Sequence, residues 1–84
     1  MTTMVPPIHV SYDPTEQIAF RRRLGDGIRR ERLYYGMSSS ELARRIGSSR
    51  ALVYRWESGQ NMPSAFYLER IAVALRVSIE TILN

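Results

Sequence analysis

The chain has no cysteine and no lysine, a single histidine, and no apolar run approaching the roughly 18 residues of a membrane span. Without cysteine there is neither a disulfide framework nor a cysteine-based zinc site, which suits a reducing compartment. His9 stands alone in a proline-bearing stretch, and most of the nine serines occupy cap or turn positions with no base beside them. Nucleophilic or acid–base catalysis therefore has no machinery in view, no metal or cofactor has a ligand cluster, and no enzyme activity is expected. The first residues lack the basic-then-apolar order of a secretory signal, so a soluble cytoplasmic protein is expected. A membrane-surface role for IAFRRRLGDGIRR is disfavoured by its two glycines, which make a poor interfacial helix.

What is abundant is arginine. All twelve basic residues are arginine, and ten of them lie between Arg21 and Arg55, where only Asp26, Glu31 and Glu41 oppose them. That segment carries 10 − 3 = +7, whereas residues 1–20 carry −2 and residues 56–84 carry −1, for a total of +4. Concentrated guanidinium charge attracts polyanions and suits phosphates and guanine edges, because it donates in a planar fork. The competing reading of such a run is a solvated helical face.

Eighty-four residues support one domain, and a chain this short buries only about 60% of its unfolded surface, so its core must be efficient. Asp13, Pro14 and Glu16 supply a cap, a first-turn proline and an early acid. They predict a first helix running to about Tyr35, with Phe20, Leu24, Ile28 and Tyr35 on one face and Gly25 and Gly27 weakening its middle. Gly36 stops it. Ser38 to Glu41 reads as a capping box opening a second helix at Ser39, ended by Gly47. Ser49 caps a third, Arg50 to about Glu57, closed by Gly59. Pro63-Ser64 opens a fourth with the stripe Leu68, Ile71, Ala72 and Leu75, and Ser78 caps a short fifth holding Ile79, Ile82 and Leu83. Before all of these, residues 1–12 form an arm whose Ile8, Val10, Tyr12 alternation fits either an edge strand or a loose tail. Residues 13–84 form the domain.

The most informative stretch is SSELARRIGSSRALVYRWES, residues 39–58. Ala43 is the small residue that two crossing helices need, Gly47 allows a left-handed turn, and Val53 is a β-branched anchor for the second helix. At 100° per residue, Leu52, Val53 and Trp56 share one face of the third helix, while Arg50, Ala51, Tyr54 and Arg55 share the other. One face packs and the other is free to read.

From Leu24 to Asn84 the chain resembles the Cro and phage-repressor (XRE) type of helix-turn-helix domain, through LGDGIRRERLYYGMS, SELARRIGSSRALVYRWESG, MPS and LERIAVALRVSIETIL. The resemblance implies an all-α, compact five-helix bundle that binds double-stranded DNA, usually as a dimer. It departs at Ser39, where the family commonly has a glutamine that contacts a phosphate. It also implies an ion pair between Arg32 and Glu57 and a dimer contact from Ile79, Ile82 and Leu83, the alternative being that these three complete the core of the single chain.

Arg50, at the start of the reading helix, is the first candidate for a base contact, since guanine offers it two acceptors in the major groove. Ala51 suits a thymine methyl, and Tyr54 and Arg55 lie a turn deeper, within range of bases or phosphates. Ser39 and Ser40, at the positive end of the second helix, are phosphate candidates. Asn61, Arg22, Arg23 and Arg29 are further phosphate candidates. The expected function is a sequence-specific transcriptional regulator, a dimeric repressor, associated with the nucleoid when bound to DNA. The alternative is an antitoxin or adaptor that autoregulates through its helix-turn-helix while another surface, such as residues 1–20, binds a small protein partner.

Overall fold

A computed structural model describes residues 12–84. It contains α1 (Pro14–Tyr34), α2 (Ser39–Ile46), α3 (Arg50–Glu57), α4 (Ala65–Leu75) and α5 (Ile79–Leu83), with no strand among the described residues. The alternation at Ile8 and Val10, and the arm as a whole up to residue 11, lie outside the described residues.

Each helix starts where a short polar side chain replaces the missing intrahelical acceptor for an early N–H. The Asp13 carboxylate accepts from the Thr15 N–H at 2.9 Å, and the hydroxyls of Ser38, Ser49, Ser64 and Ser78 accept from Glu41, Leu52, Tyr67 and Thr81 at 3.0–3.3 Å. The capping box at Ser38 is only half made. Glu41 turns its carboxylate to Arg45, 2.8 Å away, rather than to the Ser38 backbone. The chain leaves α2 through Gly47 at φ 74°, ψ 36°, a conformation that costs glycine little. At the end of α4 the same left-handed backbone is taken by Arg76, φ 58°.

The core gathers one face of every helix: Leu24 and Ile28 of α1; Leu42, Ala43 and Ile46 of α2; Val53 and Trp56 of α3; Ile71, Ala72 and Leu75 of α4; and Ile82 of α5, with Met37 from the first loop. Three expectations change. Tyr35 does not share the packed face of Leu24 and Ile28, because α1 ends at Tyr34 and Tyr35 caps it with 40% of its surface exposed. Gly25 and Gly27, expected to weaken α1, do not interrupt it, and the helix runs unbroken through both. They are the places where other backbones touch it: a Cβ at Gly25 would lie 2.7 Å from the Glu57 carbonyl oxygen and closer still to that of Trp56, and one at Gly27 would overlap the Ile82 carbonyl. Absence of a side chain there lets α3 and α5 pack directly on α1. Ile82, expected at a dimer contact, is fully buried in the chain's own core, so of that trio only Ile79 and the half-buried Leu83 reach the surface.

Candidate nucleic-acid interface

The third helix divides its surface as its sequence period requires. Val53 and Trp56 are buried and Leu52 half-buried, whereas Arg50, Ala51, Tyr54 and Arg55 are exposed, Tyr54 by 64%. These four outward residues line one shallow depression of about 490 Å³, joined by Gln60 from the following loop.

Several side chains hold this helix rigid from behind. Trp56 packs against Tyr67 of α4, ring centroids 5.6 Å apart. The Tyr67 hydroxyl donates to the Gly47 carbonyl at 3.3 Å, and Arg70 donates to the Ile46 carbonyl at 2.9 Å, so α4 fastens the turn between α2 and α3. Arg21 of α1 donates to the Gly59 carbonyl at 3.1 Å, just past the end of α3. The strongest tie is Arg32, which grips the Glu57 carboxylate through two nitrogens at 2.7 and 2.9 Å and donates with a third to the Met37 carbonyl at 2.9 Å. This bidentate pair is the one that the family resemblance implies. The hydrogen bond to Glu57 raises the Arg32 pKa above its ordinary value, outweighing the opposite effect of burial. Arg32 therefore keeps its charge throughout the neutral range.

The phosphate candidates separate into groups. Arg29 and the half-buried Ser39 meet Arg50 and Tyr54 around a second depression, of about 280 Å³, between α1, α2 and α3. Ser40 is exposed in the first turn of α2, and Asn61 is exposed in the loop after α3, its N–H directed at the Arg55 carbonyl. Arg22 packs beside Gly59 next to that loop. Arg23 is not brought to this surface: its guanidinium lies 5.4 Å over the Phe20 ring, and it borders another hollow, along α1, together with Arg30 and Asn84; Arg22 lines that hollow as well, so it stands between the two regions.

The arginine-rich segment also proves to be less uniformly available than its charge implies. Arg21 and Arg32 tie α1 to α3 and its flanking loops, Arg30 donates to the Thr81 carbonyl at 2.8 Å, and Arg45 pairs with Glu41. Arg29, Arg50 and Arg55 make no ion pair or side-chain hydrogen bond among the described residues. Sequence reasoning missed Gln60 and the roles of Arg21 and Arg70. For Gln60 a signal existed, its place one residue after the closing Gly59.

Two short helices joined by a glycine turn, the second fixed inward by Val53 and Trp56 and presenting arginine outward, define a helix-turn-helix DNA-binding protein. Residues 28–82 match the helix-turn-helix family HTH_3, and the chain belongs to that family, whose members are DNA-binding transcription regulators. No curated protein sequence matches the chain. Among solved structures it is similar to the clp gene regulator ClgR from Corynebacterium glutamicum, with 28% identity over 76% of this chain and 68% of that one and a TM-score of 0.74. It is equally similar to the restriction-modification controller protein C.AhdI from Aeromonas hydrophila, with 28% identity over 76% and 97% of the two chains and a TM-score of 0.72. The hypothetical transcription factor NHTF from Neisseria covers more of the chain, 98% against 90% of its own length, at 26% identity and a TM-score of 0.73. The protein is thus a DNA-binding transcriptional regulator of the XRE-type helix-turn-helix class. Among the described residues no helix is long and apolar enough to cross a membrane.

Proposed function

We propose that the protein is a sequence-specific repressor that binds double-stranded DNA as a homodimer and reads the major groove with α3. The observation that carries this reading is the continuous outward surface of Arg50, Ala51, Tyr54 and Arg55 on a helix whose back is locked into the core. Arg50 leads, with a fork suited to guanine O6 and N7; Ala51 allows close approach or meets a thymine methyl; Tyr54 and Arg55 contact bases or flanking phosphates deeper along the groove. Ser39, Ser40, Asn61, Arg22 and Arg29 contact the backbone around it and set the register, as phosphate contacts do.

Residues 13–84 act as the DNA-binding domain, with the preceding arm outside it. A dimer follows from the need for two reading helices about 34 Å apart on one face of the duplex, related by a two-fold axis. Ile79, 40% exposed, and Leu83 support α5 as the contact, in a form that leaves Ile82 inside each subunit. Such a protein works at the nucleoid. Selection from a random duplex pool, followed by footprinting, tests the proposal: an inverted repeat with half-sites one helical turn apart is expected. Enrichment of no motif, or of single-stranded ligands only, would overturn it.

A further inference from the structure

The hollow along α1 shares no lining residue with the two depressions beside α3. It encloses about 560 Å³, and Ile18, Ala19, Arg22, Arg23, Asp26 and Arg30 recur along it at three- and four-residue steps, the spacing of one helical face. Charge alternates on that face: cation at Arg23, anion at Asp26, cation at Arg30. Either arginine is at a spacing from Asp26 that pairs on an isolated helix, yet Asp26 forms no ion pair among the described residues. Arg23 lies over the Phe20 ring instead, and Arg30 turns to the Thr81 carbonyl at 2.8 Å. Arg22 is unpaired as well, so three guanidiniums and one carboxylate leave the hollow at 3 − 1 = +2. Ile18, 44% exposed, and the exposed Ala19 give it an apolar end. Asp26 stands between Gly25 and Gly27, on which α3 and α5 rest, so this stretch of α1 is braced by both neighbours.

We propose that this face of α1 docks an acidic helix of a partner protein. Carboxylates two turns apart on that helix meet Arg23 and Arg30, a basic residue between them meets Asp26, and an apolar side chain packs on Ile18 and Ala19. Residues 23 and 30 lie seven positions apart, about 10.5 Å along α1, and a helix running alongside repeats its side chains at the same interval. Charge decides against the other occupants. A second copy of the same face would bring +2 against +2. Residues 1–11 contain no acidic side chain to offer. Duplex DNA is negative throughout, which leaves Asp26 opposed and gives Ile18 nothing to pack on. Arg22 links this surface to DNA, because it also stands beside Gly59 at the loop after α3. A partner that engages Arg22 withdraws one backbone contact, so docking and DNA binding oppose each other; the opposition rests on the DNA-binding reading above, and the docking does not.

The probe is an alanine-based helical peptide of about 20 residues, long enough to hold a helix in water. It carries glutamates seven positions apart, a lysine between them and a leucine one turn outside; a second peptide exchanges lysine and glutamate at those three positions. Fluorescence anisotropy with the full chain, without DNA, is expected to favour the first peptide on the order of tenfold, since three exposed charge matches each contribute little. Arg23→Glu combined with Asp26→Lys should reverse the preference. Both residues are exposed, and an unchanged melting curve separates this result from misfolding. Binding of neither peptide, equal affinity for both, or a preference that the double variant leaves in place would overturn the docking surface. At about 0.15 M salt, where distant charges are screened, Arg23→Glu alone should leave affinity for the selected duplex within about threefold. A larger loss with a lowered salt slope would assign the hollow to DNA, and loss of a dimer in sedimentation would assign it to a second copy; either overturns the proposal. Saturation with the first peptide should weaken duplex binding severalfold and lower the salt slope by about 1. Unchanged duplex affinity with the peptide bound would overturn the opposition. A chain that selects no duplex yet still chooses between the peptides would refute the DNA reading and support the docking surface.

Discussion

Removing one member of the Arg32–Glu57 pair should damage the fold more than removing both. The two side chains are 11% and 9% exposed, and the guanidinium satisfies two carboxylate oxygens and the Met37 carbonyl at once. Glu57→Ala leaves a nearly buried guanidinium with only the Met37 carbonyl, and breaking a buried pair in this way costs about 3–5 kcal/mol. The lower end applies, since an arginine on the rim of an open depression regains some water. An 84-residue domain has a total stability of roughly 4–13 kcal/mol, so a loss of about 3 kcal/mol is severe. At about 4–8 °C per kcal/mol for a domain of this size, the melting temperature should fall by about 12–24 °C. Replacing both residues with methionine removes the desolvated charges together, and such apolar replacements are often close to neutral. Thermal unfolding followed by circular dichroism, with a urea series, on the unaltered chain, Glu57→Met, Arg32→Met and the double replacement gives the complete cycle, with Glu57→Ala measured beside it. If Glu57→Ala moves the melting temperature by less than about 4 °C, or the double replacement loses as much as the two single changes combined, the pair is not a buried, coupled unit and the argument fails.

The close approach of α5 to α1 predicts that Gly27→Ala destabilises by about 1–3 kcal/mol through overpacking, although an unobstructed helix interior would gain about 1 kcal/mol from the same change. A higher melting temperature for that variant would show the contact to be loose. Arg76→Gly should stabilise by up to about 1 kcal/mol, because the left-handed backbone costs an L-residue roughly 1–2 kcal/mol and glycine returns only part of that gain as chain entropy; a fall in urea midpoint would contradict this. Arg50→Ala should cost about 1–3 kcal/mol on the preferred duplex and relax choice at one base pair. Equal weakening on all sequences in competition binding would reassign Arg50 to the backbone.

Features decided within a few residues were legible in the chain. Ser38, Ser49, Ser64 and Ser78 cap their helices because the cap bond spans only three positions, and Gly47 turns left-handed next to the helix it ends. The two faces of α3 follow from its period alone. Contacts between residues distant in sequence were not legible in the same way. Helix propensity charges Gly27 for its flexibility, whereas its use depends on Ile82, fifty-five positions away. Ile79 and Ile82 look alike in sequence, yet the register of α5 on that glycine buries one and exposes the other. The arginines posed the hardest case, because nothing in the residue itself tells whether its guanidinium faces a carbonyl, as in Arg21, Arg30 and Arg70, or the solvent, as in Arg29, Arg50 and Arg55. The Arg32–Glu57 pair was reached through resemblance and not through spacing.

Gly25 and Gly27 place two consequences on three consecutive positions of one helix. The carbonyl end of α3 rests on the first and the backbone of α5 on the second. In the proposed dimer, with α5 against a second subunit, α1 becomes the ruler between the symmetry axis and the reading helix, and at Gly25 and Gly27 it bears on its neighbours through backbone with no side chain of its own between. Such a dimer has little slack to take up a changed distance between half-sites. One inserted base pair shifts a half-site by about 3.4 Å and also rotates it about the duplex, so the spacer length should be as strictly selected as the bases themselves.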